Sequence, residues 1–124
     1  IVFCPSNPYL SIDPILSIDR IRKLMENQKK PRIAISPIVG HDSVKGPTSK
    51  LMKEMGVEVS SLSIAKHYKG LIDGIVIDHE DEKQAEEIRE MGIEVKLSKI
   101  IVETEEEKMR LAKESLDFIK EIGS

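Results

Sequence analysis

One short segment, Asp73-Gly74-Ile75-Val76-Ile77-Asp78, does most to narrow the choice of fold, because its apolar middle does not alternate with polar residues and an acid closes each end. A strand of that kind is covered on both faces, as in a parallel sheet flanked by helices. Helical patterns lie on either side of it. Residues 62–68 read as a short helix. After Asp78, the acids Glu80, Asp81 and Glu82 suit the positive start of a helix whose Ala85, Ile88 and Met91 share a face and which Gly92 ends.

The same alternation runs along the rest of the chain. Ile1-Val2-Phe3-Cys4 is a continuous apolar run, and Pro5-Ser6-Asn7-Pro8 is a turn cluster. Residues 14–27 carry helix-spaced Ile18, Ile21, Leu24 and Met25, with Asp19 as an N-cap, before Lys29-Lys30-Pro31 breaks the helix. Residues 32–36 return to strand character. Residues 36–46 read as a long loop, Pro47 as a first helical residue, Leu51, Met52 and Met55 as a helix stopped by Gly56, and Val57-Glu58-Val59 as a short strand. Ile93-Glu94-Val95-Lys96-Leu97 alternates as a strand. Thr104 and Glu107 form a capping box for a last helix, whose stripe is Met109, Ala112, Leu116 and Ile119, widened by Leu111, Phe118 and Ile122. The five methionines fall on helical apolar faces and are expected in the core. The expectation is an α/β fold, a three-layer α/β/α arrangement around a mostly parallel, Rossmann-like sheet.

At 124 residues, with 40% hydrophobic and 33% charged, the chain is one domain's worth of material. Nineteen basic against 22 acidic side chains, 3% aromatics and no Trp leave neither the basic footprint nor the stacking platform of a nucleic-acid binder. No apolar run is long enough to span a bilayer, no charged leader precedes an apolar segment, and the single Cys4 fits a reducing compartment, so a soluble cytoplasmic protein is expected. The apolar strand at the first residue would be an open edge if left bare, so upstream chain or a second copy, as in a homodimer, is expected to cover it.

Ligands of such sheets sit beyond the carboxyl ends of the strands, which directs attention to the segments after Cys4, Ser36 and Ile77. Ser6, Asn7 and the backbone N–H groups between two prolines suit an anion, although Ser and Asn equally satisfy turns and cap helices. Segment 36–48 holds Gly40, Lys45 and Gly46 just before a helix, a combination able to cradle a phosphate. It is not a Walker A loop, since Lys45 precedes Gly46 and five residues separate the glycines. An ordinary flexible loop has equal standing on these residues alone. Asp78 is placed to hold a metal or to cap the following helix, and capping is favoured. His41, His67 and His79 lack metal-ligand spacing and read as surface or packing residues. Cys4, without a cationic neighbour, reads as a small hydrophobe.

The strings Cys4-Pro5-Ser6-Asn7-Pro8, Ser11-Ile12, Pro14-Ile15-Leu16, Ser36-Pro37-Ile38-Val39-Gly40, Val44-Lys45-Gly46-Pro47, Ala65-Lys66-His67-Tyr68 and residues 73–78, in this order, resemble the 2-phospho-L-lactate transferase family. The resemblance runs from the first residue to the last helix. The family's Gly-rich N-terminal segment has no counterpart in these residues, so 1–124 resemble the C-terminal part of a single nucleotide-binding α/β transferase domain. His41 and Asp13 stand where relatives commonly carry a small residue and a Gly. The resemblance implies transfer of a phospholactyl or phosphoenolpyruvyl group from a guanosine diphosphate-linked donor to the hydroxyl of a deazaflavin, with release of GMP, in coenzyme F-420 synthesis, and it implies magnesium. It also implies Ser6 and Asn7 as donors to the diphosphate, and the 40–46 segment, with Gly40, Gly46 and the catalytic Lys45, as part of the active site. Two other classes compete: a noncatalytic sugar-nucleotide-binding regulator of related fold, and a receiver-like module, which needs a strand-end acid that Cys4-Pro5-Ser6-Asn7 does not offer.

Overall fold

The computed structural model describes all of residues 1–124. Four parallel strands, β1 (Val2–Phe3), β2 (Ile33–Ile35), β5 (Gly74–Asp78) and β6 (Glu94–Ser98), form one sheet in the order β1-β2-β5-β6. Between them run α1 (Asp13–Leu16), α2 (Asp19–Glu26), α3 (Thr48–Glu54), α4 (Ser61–His67) and α5 (Ala85–Glu90), and a two-strand hairpin of β3 (Ile38–Val39) and β4 (Asp42–Ser43). The sheet grows in one direction with sequence. Right-handed crossovers in such a sheet put every connecting helix on the same face. The last helix, α6 (Glu105–Gly123), follows the edge strand β6 and returns across the opposite face, completing three layers.

Strand parity sorts the core accordingly. Phe3, Ala34, Ile75 and Ile77 point into the larger cluster with Met52, Ile64, Tyr68 and Ile88, whereas Ile33, Ile35 and Val76 meet Leu111 and Phe118 of α6. Gly74 shares the parity of Val76, and a Cβ there would lie 2.6 Å from Ile122 Cδ1 and 2.9 Å from the Phe118 ring. The missing side chain is what lets α6 approach β5 so closely.

Several expectations are corrected. The segment read as one helix over 14–27 is two, because Ile18 is extended (ψ 107°) and the Ser17 hydroxyl donates to Pro14 O at 2.6 Å; Asp19 lies in the first turn of α2, and Ile18 takes the cap position. Val57-Glu58-Val59 is not a strand: it joins no sheet and links α3 to α4, with Val59 packed into the main core. Pro47 precedes α3 at its cap. The inward face of α6 is Leu111, Ser115 and Phe118, so Met109 and Leu116 stand 71% and 55% exposed. Among the methionines, Met52 alone is fully buried, and Met55 joins Met109 outside. Cys4 is exposed, not packed, because β1 is an edge strand that ends at Phe3. The last helix does open on the expected capping box: Glu107 N donates to Thr104 Oγ1, and Thr104 N to Glu107 Oε2.

Candidate functional site

β1 and β2 are adjacent and parallel, so the turn after β1 and the segment after β2 leave the sheet at the same rim, with the end of β5 next in line. At the first of these, Asn7 caps the five-residue turn Pro8–Ile12: its Oδ1 accepts from Tyr9 N at 2.9 Å and Leu10 N at 3.1 Å. That fixes the amide's orientation and leaves Nδ2 buried with no partner in the chain. A buried donor without a partner costs free energy comparable to a lost hydrogen bond, and the chain has two such atoms, Asn7 Nδ2 at this rim and the Tyr68 hydroxyl in the main core. Ser6 is half-buried, its N–H turned back to Cys4 O.

The second segment, read as an open loop, is a braced hairpin. β3 and β4 pair through Ile38 with Ser43 and Val39 with Asp42, and Val44 N closes on Pro37 O at 2.8 Å. Gly40 turns it with φ 63°. Beyond β4, Ser49 N donates to Ser43 Oγ and Ser49 Oγ to Asp42 Oδ1, fastening the start of α3 to the hairpin. Only 45–47 remain as an exposed tip. Gly46 adopts φ 76° with open space around its Cα, and Lys45 is exposed beside it. A tip of this kind, rigid at its base and carrying one cation, is suited to meeting an anion from solvent.

The end of β5 answers the question about Asp78. Its Oδ1 accepts from Glu80 N and its Oδ2 from Ile100 N, both at 3.0 Å, so it caps the following 3₁₀ turn (His79–Gln84) and ties it to the end of β6. The histidines also serve the fold. His41 Nδ1 meets Val59 O at 3.2 Å, and His67 Nε2 lies 2.8 Å from Asp13 Oδ1 with Tyr9 edge-on to its ring.

The residue that sequence reasoning missed is Asp81. Read as one of three acids starting a helix, it is 4% exposed and lies under the hairpin. Gly40 N donates to its Oδ1 at 3.1 Å and Oδ2 at 3.2 Å, Ser61 Oγ to Oδ2 at 3.3 Å, and Gln84 Nε2 to Oδ1 at 3.4 Å. Ser36 Oγ lies 2.8 Å from Ser61 Oγ and also accepts from Ile38 N. Burial pushes the Asp81 carboxyl above the usual aspartate range, the bonds from Gly40 and Ser61 oppose that, and the charges of Asp78 and Glu80 add to it. Helical spacing from Ala85 and Ile88 is no guide here, because Asp81 lies in the 3₁₀ turn before α5 with a non-helical backbone (φ −100°, ψ 16°).

The sequence profile described as 2-phospho-L-lactate transferase CofD matches residues 1–118. A protein named 2-phospho-L-lactate transferase from Methanocaldococcus jannaschii is 42% identical over 118 residues, covering 95% of this chain and 36% of that protein. Another of the same name from Methanococcus maripaludis is 37% identical, covering 97% and 37% respectively. A protein named phosphoenolpyruvate transferase from Streptomyces griseus is 33% identical over 98% of this chain and 39% of its own length. The chain thus spans a little over a third of the curated relatives it matches.

Proposed function

The chain belongs to the 2-phospho-L-lactate transferase CofD family, and from that premise we propose that it forms part of an enzyme transferring a phospholactyl or phosphoenolpyruvyl group from a guanosine diphosphate-linked donor to a deazaflavin hydroxyl, releasing GMP in coenzyme F-420 synthesis. The observation that carries the reading is the shared rim: the turn with the buried, unanswered Asn7 amide donor and the segment that leads on to Lys45 leave parallel neighbours β1 and β2 at the same end of the sheet. Names given to relatives, 2-phospho-L-lactate transferase and phosphoenolpyruvate transferase, support the two acyl groups.

Transfer of this kind needs positioning and charge neutralisation more than a protein nucleophile. The deazaflavin oxygen attacks the phosphorus that bears the lactyl group, its proton leaves, and the bond from that phosphorus to the oxygen bridging to GMP breaks. Asn7 Nδ2, Ser6 and the amides around Gly46 are the neutral donors of the proposal, the Gly40 N–H being held by Asp81, and Lys45 supplies the point charge. Magnesium favours about six oxygen ligands in an octahedron. No group of three or more His, Cys, Asp or Glu side chains able to hold a metal is present, and both oxygens of Asp78 are already engaged by N–H donors. These residues alone do not make its site. No helix is long and apolar enough to cross a membrane.

The test is Lys45→Ala in the intact transferase. Loss of a donor to developing charge costs about 2.7–4 kcal/mol, or roughly 10²- to 10³-fold in rate. GMP release in the presence of deazaflavin is the assay. An unchanged kcat/KM removes Lys45 from the mechanism, and no GMP release by the unaltered protein favours a noncatalytic nucleotide-binding regulator.

A further inference from the structure

The hairpin's bracing points to a role for the buried acid that neither the family resemblance nor the relatives' names assign. We propose that Asp81 is a positioning residue: it holds the β3–β4 hairpin by its turn residue, Gly40, and so fixes where the 45–47 tip meets the donor diphosphate. The inference rests on the reading of segment 40–46 as a substrate segment.

Three observations support it. First, Asp81 engages the hairpin through backbone. Gly40 N–H points at both carboxylate oxygens, at 3.1 and 3.2 Å, so the bond constrains the turn directly through its backbone. Second, the carboxylate is itself fixed from two further sides. Ser61 of α4 and Gln84 of the 3₁₀ turn both donate to it, and Gln84 Oε1 in turn accepts from Leu62 N of α4 at 2.8 Å. Third, the protons are rationed. Ser61 has one hydroxyl proton within reach of both Ile38 O (3.1 Å) and Asp81 Oδ2 (3.3 Å), and Ser36, 2.8 Å away, has another that can serve Ser61 or Ile38 O. An ionised Asp81 draws the Ser61 proton, Ser36 then supplies Ser61, and the chain of donors runs from the end of β2 through α4 to the acid under Gly40. A neutral amide at 81 offers one acceptor where the carboxylate offers two, and turns an NH₂ toward a neighbour that is itself a donor.

Such a clamp has little reason to exist for stability alone. The hairpin already has its own pairing and packs Ile38 into the main core. What the acid adds is a fixed turn, and beyond the turn lie Lys45 and Gly46. The groups facing Asp81 are Gly40 from the hairpin, Ser61 from α4, Gln84 from its own turn, and the acids Asp78 and Glu80 nearby, so no cation neutralises it within the chain.

The experiment compares Asp81→Asn and the milder Ser61→Ala with the unaltered intact protein in two measurements. Hydrogen exchange reads the hairpin without substrate: loss of a charge-assisted bond should speed exchange across residues 38–44 by about 10- to 100-fold, with β5 and α6 unaffected. Steady-state kinetics should then show KM for the guanosine diphosphate-linked donor raised about tenfold or more and KM for the deazaflavin unchanged, with Ser61→Ala intermediate in both measurements. A general loss of folding would instead lower kcat in step with the active fraction and leave both KM values alone. Unchanged exchange at 38–44 overturns the role of Asp81. Faster exchange with unchanged donor KM overturns the reading of 40–46 as a substrate segment while the clamp itself stands.

Discussion

Gly74→Ala tests the packing of α6 on the sheet. The added methyl would sit 2.6 Å from Ile122 Cδ1 and 2.9 Å from Phe118 Cε1 and Cζ, about 1 Å inside the roughly 3.5–4.0 Å optimum for carbon pairs. Ile122 is half-buried near the helix end and can swing aside, but the Phe118 ring is 5% exposed and held between Ile33, Val76 and Leu111. Overpacking of this kind costs about 1–3 kcal/mol. Replacing Gly also removes unfolded-chain freedom worth about 0.4–1 kcal/mol in the opposite sense. The net expectation is a loss of about 1–2 kcal/mol, or a fall in Tm of roughly 3–10 °C for a chain of this size. Urea unfolding followed by far-UV circular dichroism reads it. In a Phe118→Leu background the ring that cannot yield is gone, so the same substitution should cost at least about 0.5 kcal/mol less. A neutral or stabilising Gly74→Ala, or an equal cost in both backgrounds, would refute the claim that this glycine sets the distance between β5 and α6.

Two further outcomes follow from burial and capping. Met52→Ala, at a fully buried site of the main core, should lose about 2–5 kcal/mol, whereas Met109→Ala on the exposed side of α6 should stay within about 0.5 kcal/mol; similar losses at both positions would contradict the assigned face of the helix. Glu107 is lowered from about 4.5 to about 2 by the N–H groups of Glu103 and Thr104 and by Lys99. Its folded-state value is depressed, so its contribution is complete above pH 4.5 and lost as pH falls toward 2. The urea midpoint of the protein should therefore drop more steeply across that window than that of Glu107→Gln, and parallel curves would show that the capping carboxylate does not titrate with folding.

The layered α/β arrangement was legible because continuous apolar strands and 3.6-residue periodicity are set by burial alone. Asp73 through Asp78, the Gly56 and Gly92 stops and the Thr104–Glu107 box are all local signals, and the structure has each of them. Failures came where two patterns of equal strength competed or where a third element decided. On the last helix, 109–112–116 and 111–115–118 are both regular stripes, and only the position of the sheet selects the second. Val57-Glu58-Val59 has strand character but joins no sheet, its valines packing against the main core between two helices. Ser6, Asn7 and Lys45 could be picked out as candidates by type, because their chemistry is in the side chain. Asp81 could not, because what it meets is a Gly40 N–H forty-one residues away, and no pattern along the chain reports which backbone donor a buried acid will find.

The exposure of Cys4 has a practical consequence. It is the one thiol of this chain, it stands at the end of β1, and Asn7 follows three residues later. A maleimide dye attached there would sit beside the proposed nucleotide-binding turn, so its emission would report occupancy in real time without any engineered attachment point in these residues.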